Sequence, residues 1–453
     1  MSFSHAEPTL QPKLIYIQTF GCQMNEYDSA RVERLLAPDG YLLTSEVERA
    51  DVIFINTCAV REKAEQKVCS YLGRLRRLKT RNPRLKIVIG GCMAQQLGKT
   101  LLERFAHLDL VLGTQSLPAL PGLLREIQQK HHRIVHLSNE LDPYDSNGSA
   151  SRTTIRGVSA AVTIMQGCDN YCSYCIVPYV RGPEKSRPSG EILHEIGLHV
   201  EAGAREVVLL GQNVNSYGKK SGTEISFSDL LHSIQTVISP KRLRFTTSHP
   251  KDLTQDVMSC YADLDCLCKH LHLPLQSGSD RILALMNRGY TAAQYRSKID
   301  QLRGICPDIG LSADVMVGFP GETESDFQDT LYLLQQVQFD ALFSFRYSDR
   351  PYAKAAQFPG KVTEADKARR LLELQALQAE ITLRKNRAEV GKVRQILVEG
   401  PSKAGETQYM GRTQQNRIVN FHSSVDLTGR LISVRIQAAY SHSLRGEWID
   451  SGY

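Results

Sequence analysis

Residues 161–187 read AVTIMQGCDNYCSYCIVPYVRGPEKSR, and the fold turns on this stretch. The apolar run AVTIMQ (161–166) stops at Gly167, and three cysteines follow, Cys168, Cys172 and Cys175, spaced C-x3-C-x2-C. A short continuous apolar run bounded by glycine reads as a strand buried on both faces. The loop leaving the carboxyl end of such a strand is where parallel α/β folds place their chemistry. No further cysteine occurs until Cys260. Structural zinc closes its coordination with four ligands, usually from two paired arms. Four-iron clusters are also bound by thiolates, and three thiolates leave one iron open to an external chelating ligand.

Outward from this loop the strand pattern repeats. EVVLLG (206–211), RLRFTT (242–247), HLHLPL (270–275), SADVMVGF (312–319) and ALFSFR (341–346) are strand-like, with helical patterns such as 189–204 between them. Six βα units predict a parallel barrel, full or partial. Thr363 and Asp366 form a capping signal that opens a helix reaching about Glu389. Beyond it, ILVEG, RIVNF and LISVRI alternate among Gly, Pro, Ser and Asn, which predicts a small antiparallel, OB-like barrel.

Toward the N-terminus, LIYIQ (14–18), VIFIN (52–56) and KIVIG (86–90) alternate with amphipathic stretches such as 59–79. This βαβ pattern predicts a doubly wound parallel sheet. Each of the three runs is followed by a cysteine: Cys22, Cys58 and Cys92, 36 and 34 residues apart. Parallel strands share one carboxyl edge, so the three thiols are expected to converge there, and Gly21, Gly90 and Gly91 to let backbone approach a bulky ligand. Cys69, Cys260, Cys266, Cys268 and Cys306 lack such placement and read as small buried hydrophobes. The expected domains are 12–130 and 154–385, joined by a linker over 131–153, and then 386–453.

The chain has 453 residues, 42% hydrophobic and 23% charged, with a formal charge of +7. This is the composition of a globular protein, and the mild basicity permits an RNA partner without demanding one. No apolar run approaches the ~20 residues that span a bilayer, so no membrane role is expected. MSFSHAEPTLQPK lacks the apolar centre of a secretory signal, which points to the cytoplasm, where thiols stay reduced. Eleven cysteines, an odd number, favour metal or catalytic use over disulfides.

The C-x3-C-x2-C array with Tyr174 before its last cysteine resembles the radical S-adenosylmethionine (SAM) superfamily. The resemblance implies that SAM chelates the open iron of a 4Fe-4S cluster and is cleaved to a 5′-deoxyadenosyl radical. It implies that Gly211-Gln212 meets the SAM amino group, that Gly318-Phe319-Pro320-Gly321-Glu322 meets the adenosine, and that Tyr174 lies near the adenine. Thr19–Asn25, Asn56–Lys67 and Gly90–Cys92 resemble the N-terminal domain of methylthiotransferases. That likeness covers nearly the whole chain and implies a second 4Fe-4S cluster on Cys22, Cys58 and Cys92, with a C-terminal TRAM domain. Gly21-Cys-Gln-Met-Asn25 and Cys58–Lys63 look most like the branch acting on isopentenyladenosine in tRNA. Branches acting on a ribosomal-protein aspartate or on threonylcarbamoyladenosine typically carry Pro-Lys-Asn or Arg-Val-Asn after the first cysteine. Leu273–Asp280 and Met286–Tyr290 resemble the family without separating its branches.

The implied substrate is C2 of the adenosine at tRNA position 37, in the anticodon stem-loop. The implied helpers are an electron donor such as flavodoxin or ferredoxin and a sulfur source, with the chain acting as a monomer. Lys392, Arg394, Lys403, Arg412 and Arg417 are the expected phosphate contacts of the C-terminal barrel. The run Arg74, Arg76, Arg77, Lys79, Arg81, Arg84 and Lys86 reads equally as an RNA contact or a solvated helix face, and Arg181, Lys185 and Arg187 as surface charges or phosphate ligands. A non-catalytic iron–sulfur or zinc RNA-binding scaffold is the competing reading from another class.

Overall fold

A computed structural model describes residues 12–59, 62–130, 132–138, 157–220, 222, 224–402, 405 and 407–449. The greater part of the expected linker, and Lys403, lie outside these residues. The chain divides into two compact units, Met1–Arg152 with Tyr179–Gly182, and Thr153–Pro178 with Pro183–Tyr453. Among the described residues no helix is long and apolar enough to cross a membrane.

The first unit is built on a six-stranded, wholly parallel sheet. Its order is Tyr41–Leu43, Lys13–Thr19, Val52–Thr57, Lys86–Gly91, Leu110–Leu112, Ile134–His136. Val52–Thr57 and Lys86–Gly91 are buried at every position, as their uninterrupted apolar runs require. One hydrophobic cluster, around Ile53, Ile87 and Val111, covers one face, and another, around Phe54, Val88 and Leu110, covers the other. The order reverses between Lys13–Thr19 and Val52–Thr57. A crevice at the carboxyl ends of such a switch point is the usual ligand position of a doubly wound sheet.

The second unit opens with Ser159–Thr163, Glu206–Leu210 and Arg242–Phe245, paired in parallel. His270–His272, Gly310–Val317 and Ala341–Arg346 form a second parallel set. A parallel bridge from Leu243 to Leu267 joins the two sets into one arc. No ladder pairs Ser159–Thr163 with Ala341–Arg346 among the described residues, so the barrel is partial. One cluster, including Val207, Leu243, Leu271 and Val315, fills the space between strands and helices. Strand ends follow local chemistry: Thr247 and Gly318 take positive φ (67° and 73°), and Pro274 has no N–H for a ladder. The helix Glu364–Arg387 begins as expected, with Thr363 Oγ1 accepting from Asp366 N (3.1 Å).

The C-terminal strands Val393–Pro401, Gln408–Thr413, Ile418–His422, Leu444–Trp448 and Leu431–Ala439 close into a barrel. The small OB-like barrel is antiparallel except at one pair. Ile418–His422 pairs with Leu444–Trp448 in parallel, because Leu431–Ala439 intervenes in sequence and closes the other edge.

Candidate functional site

In the second unit the loop 167–176 is held by neighbours on every side. Gly167, at φ 76°, donates its N–H to Gln212 Oε1 (2.6 Å). Tyr171 adopts φ 45°, and Asn287 Nδ2 donates to the carbonyls of Asn170 (3.2 Å) and Tyr171 (3.1 Å). Ser173 donates its N–H to Met286 O (3.0 Å) and its hydroxyl to Leu285 O (2.8 Å). Met286–Tyr290, noted in the sequence only for family likeness, is thus the clamp of the cysteine loop.

Cys168 and Cys172 are buried and Cys175 partly so. Burial pushes the Cys168 thiol up to about 11, and Cys172 adds to the rise. Burial pushes Cys175 up to about 12, with Cys172 and Cys168 adding to it. Cys168, Cys172 and Cys175 thus sit on one clamped and largely buried loop. No group of three His, Cys, Asp or Glu closes around a single metal ion among the described residues. A cluster does not need that geometry, since each thiolate takes a different iron.

Arg288 is the residue that sequence reasoning missed. It is buried, and its Nη1 lies 3.3 Å from Cys172 Sγ. Tyr174, half-buried, packs with Ile282, Met286, Phe319 and Tyr347, and its hydroxyl accepts from Arg288 Nη1 (3.4 Å). Gln212 is committed to the loop through Gly167. A Cβ on Gly211 would stand 2.5 Å from Met165 Cγ, so packing alone calls for glycine there. Gly318 donates its N–H to Glu322 Oε1 (2.9 Å), and Glu322 pairs with Arg370 (2.7 Å), both buried. Gly321, at φ 82°, donates to Gly360 O (2.7 Å).

In the first unit, register brings the other cysteines to one edge. Thr19 pairs with Asn56, and Asn56 with Gly90, so Cys22, Cys58 and Cys92 leave neighbouring strands within two or three residues of aligned positions. Burial pushes the Cys92 thiol up to about 11; Arg181 opposes the rise, and Cys58 and Cys22 add to it. A buried amide network sets the spacing. Asn25 Nδ2 donates to Asn56 Oδ1 (2.8 Å) and Thr57 O (3.1 Å), and Asn25 Oδ1 accepts from Cys22 N (3.3 Å). Asn56 Nδ2 returns to Asn25 O (2.8 Å) and Ser29 Oγ (3.0 Å), and Thr57 Oγ1 donates to Gly90 O (2.5 Å). Asn25 occurs in all three branch patterns quoted above, in keeping with this duty, so only Gln23 and Met24 discriminate among them.

The glycines beside these cysteines need a corrected reading. A Cβ would stand 2.2 Å from Asn25 Oδ1 at Gly21, 2.6 Å from Phe54 Cζ at Gly90 and 2.5 Å from Asn56 Oδ1 at Gly91. They make room for the protein's own side chains rather than for a ligand.

The basic residues are also reassigned. Arg181 is neither a surface charge nor a phosphate ligand: it is buried and pairs with Asp28 Oδ2 (2.7 Å). Arg187 is buried and pairs with Glu195 (2.5 Å). Lys392, Arg394 and Arg417 converge on Glu389 (3.1, 2.5 and 3.0 Å), Arg417 also meets Asp340 (2.6 Å), and Arg412 meets Glu399 (2.8 Å). These four are ion-paired and anchor the barrel, with the Lys392 side chain still 51% exposed. Arg242 and Arg244 add to that anchor by donating to the carbonyls of Arg412 (2.5 Å) and Thr413 (2.7 Å). In the N-terminal run Lys79 and Lys86 turn to Asp109 (2.8 and 3.9 Å), whereas Arg74, Arg76, Arg77, Arg81 and Arg84 are exposed.

Residues 14–113 match uncharacterized protein family UPF0004, 162–334 the radical SAM superfamily and 387–449 the TRAM domain. A protein of Syntrophobacter fumaroxidans named tRNA-2-methylthio-N(6)-dimethylallyladenosine synthase is 60% identical over 438 residues, 96% of each chain. Proteins of the same name from Geobacter metallireducens (49% identical, covering 96% of this chain and 98% of that protein) and Clostridium botulinum (45%, covering 96% of each) are also similar. Among solved structures, the radical SAM methyltransferase TsrM from Kitasatospora setae superposes with a TM-score of 0.56 at 13% identity. It covers 76% of this chain and 77% of its own, a likeness of fold alone. The cysteine sets, the three matched segments and near full-length relatives lead to one conclusion: the chain belongs to the tRNA-2-methylthio-N(6)-dimethylallyladenosine synthase family of radical SAM enzymes.

Proposed function

We propose that this radical SAM enzyme adds a methylthio group to C2 of N6-isopentenyladenosine at position 37 of tRNA, using two 4Fe-4S clusters and SAM. The observation that carries the reading is one device used twice. Three cysteines follow neighbouring parallel strands in the first unit and three lie on the loop leaving the first barrel strand in the second, in a chain whose relatives bear the name of that activity. The C2–H bond of adenine is neither acidic nor hydridic, so acid–base groups do not suffice and a cofactor must supply radical chemistry. When bound, the cluster at Cys168, Cys172 and Cys175 supplies one-electron cleavage of SAM, and the cluster at Cys22, Cys58 and Cys92 holds the sulfur to be methylated and transferred.

The chain's own residues position and shield these groups. Ser173 and Asn287 fix the first loop, and Asn25 and Asn56 fix the second set. Gln212 Oε1 accepts one bond from Gly167 and keeps a lone pair for the SAM amino group. Gly211 lets that strand end approach, Gly318 and Gly321 shape the loop that meets the adenosine, and Tyr174 flanks the adenine. The C-terminal barrel, a TRAM domain, receives the anticodon stem-loop, whose unpaired bases can be splayed out and read. The enzyme works in the cytoplasm as a monomer, with flavodoxin or ferredoxin as electron donor and a separate sulfur source.

Paired substitutions test the division of labour. Cys172→Ala is expected to abolish SAM cleavage, and Cys58→Ala to keep cleavage while losing methylthio transfer. Equal loss of both activities in a folded Cys58→Ala enzyme would refute it.

A further inference from the structure

On His270–His272, Gly310–Val317 and Ala341–Arg346, successive side chains take opposite faces of the sheet. Leu271, Ala313 and Val315 join the core beneath the helices, so His270, His272, Ser312 and Asp314 stand on the inner face of the arc. Register sets His272 beside Ser312, and Asp314 beside Phe343. Ser312 is buried, but the Asp314 side chain is 29% exposed and Phe343 is 50% exposed. Ser312 Oγ lies 3.1 Å from His270 Nε2 and 3.0 Å from His272 Nδ1. Its single hydrogen serves one ring, and it accepts from the other. Burial, with Arg244 and His272 adding to it, pushes the His270 imidazole down to about 3, so that ring is neutral. His272 Nε2 stands 3.6 Å from Asp314 Oδ2, and a carboxylate only accepts. The hydrogen of His272 is therefore assigned to Nε2, and its Nδ1 accepts from Ser312. At 3.6 Å the Asp314 contact is beyond hydrogen-bond length, and no hydrogen bond reaches this carboxylate among the described residues. One donor and one acceptor thus stand side by side, next to an open aromatic face. The His272 and Phe343 rings are edge-on to each other, with centroids 5.8 Å apart.

We propose that these three side chains read the adenine of the tRNA substrate: Asp314 accepts from N6–H, His272 Nε2 donates to N7, and the base stacks on Phe343. The inference rests on the substrate reading above and names the groups that select the base. Adenine presents N6–H and N7 next to each other, as a donor and an acceptor. An alkyl group on N6 leaves one hydrogen there, enough for a single carboxylate oxygen. C2 lies across the ring from that edge, so a base held in this way keeps C2 free for the reaction. Guanine carries an oxygen in place of N6–H, which would set acceptor against acceptor at Asp314. Bases turned out of an RNA loop are held by such edge contacts and by stacking on aromatic rings. His270 and Ser312 are positioning residues, because they fix which nitrogen of His272 carries the hydrogen.

Atom substitution in the RNA provides the test. Two synthetic anticodon stem-loops carry either N6-isopentenyladenosine or its 7-deaza analogue, in which C–H replaces N7. Methylthio transfer is followed with the reconstituted full chain and with its His272→Ala, Asp314→Asn and Phe343→Leu variants. The 7-deaza analogue is expected to cost the parent about tenfold in kcat/KM, the worth of one good base contact, and to cost His272→Ala almost nothing. Asp314→Asn and Phe343→Leu are expected to raise the KM for the stem-loop by about the same factor. An equal penalty for the analogue in parent and His272→Ala overturns the proposal. So does a rise in the KM for SAM, measured by 5′-deoxyadenosine formation without RNA, in place of the KM for the stem-loop, since the three side chains would then serve the adenine of SAM. If His272→Ala does not fold, His272→Phe fills the space of the ring without a donor, and the same outcomes decide. A parent that modifies neither stem-loop defeats the substrate reading, and this proposal with it. A parent that modifies both equally well defeats this proposal alone.

Discussion

Replacing Gly21 by alanine puts a methyl group where Asn25 must be. An ideal Cβ there stands 2.2 Å from Asn25 Oδ1 and 2.6 Å from its Cγ. Asn25 has no room to yield, because its Nδ2 is held by Asn56 and Thr57 on the neighbouring strand. Gly21 does not have a positive φ, so the cost is steric and not a matter of backbone strain. Overpacking of this kind costs about 1–3 kcal/mol. Asn25→Ala strands Asn56 Oδ1, Thr57 O and Cys22 N, and at about 1–3 kcal/mol per orphaned buried group, partly relaxed, the loss is about 3–5 kcal/mol. The double variant removes both the methyl clash and its target, so the two losses should fall short of additivity by about 1–3 kcal/mol. Trp448, the one tryptophan, lies in the C-terminal barrel, so its fluorescence does not report on this unit. Native-state hydrogen exchange at the buried strands Val52–Thr57 and Lys86–Gly91 does report on it. Strict additivity would show that Gly21 and Asn25 act independently and would refute the amide network as the spacer of the second cysteine set.

Further outcomes are expected elsewhere. Burial raises the Glu389 carboxyl, but Arg394, Arg417 and Lys392 outweigh it and hold the group at about 2, against an ordinary 4.5. Because the folded value is the lower one, its stabilisation is complete above pH 4.5 and is lost as pH falls toward 2. About 2.5 pH units correspond to about 3 kcal/mol. Trp448 fluorescence should follow that acid loss, and Glu389→Gln should flatten it. Arg417→Ala breaks a buried bridge to Asp340 and should cost the barrel about 3–5 kcal/mol. The salt dependence of tRNA binding at neutral pH should be unchanged by Arg417→Ala, because its guanidinium is already paired. A lowered salt slope in that variant would return Arg417 to the phosphate contacts.

The cysteine loops were legible because their chemistry is local. Spacing, a preceding apolar run and glycine stops are all read in one short window, and parallel strands do the rest. Arg288 was not legible in the same way. It stands 116 residues beyond Cys172, and only the fold brings its guanidinium to that sulfur. The glycines misled because a glycine beside a cysteine signals close approach without saying what approaches. At Gly21 and Gly91 the neighbours are the amides of Asn25 and Asn56. Basic residues of the barrel misled for the converse reason: a single carboxylate, Glu389, collects three of them, Lys392 and Arg394 from close by in sequence and Arg417 only through the fold.

The central claim is most directly tested by incubating the anaerobically reconstituted chain with SAM, dithionite and tRNA containing isopentenyladenosine. The tRNA is then digested and its nucleosides are weighed by mass spectrometry, alongside 5′-deoxyadenosine. The account predicts both 2-methylthio-N6-isopentenyladenosine and 5′-deoxyadenosine. Deoxyadenosine without the modified nucleoside would contradict the assigned substrate, and neither product from protein carrying both clusters would leave an RNA-binding iron–sulfur scaffold as the better description.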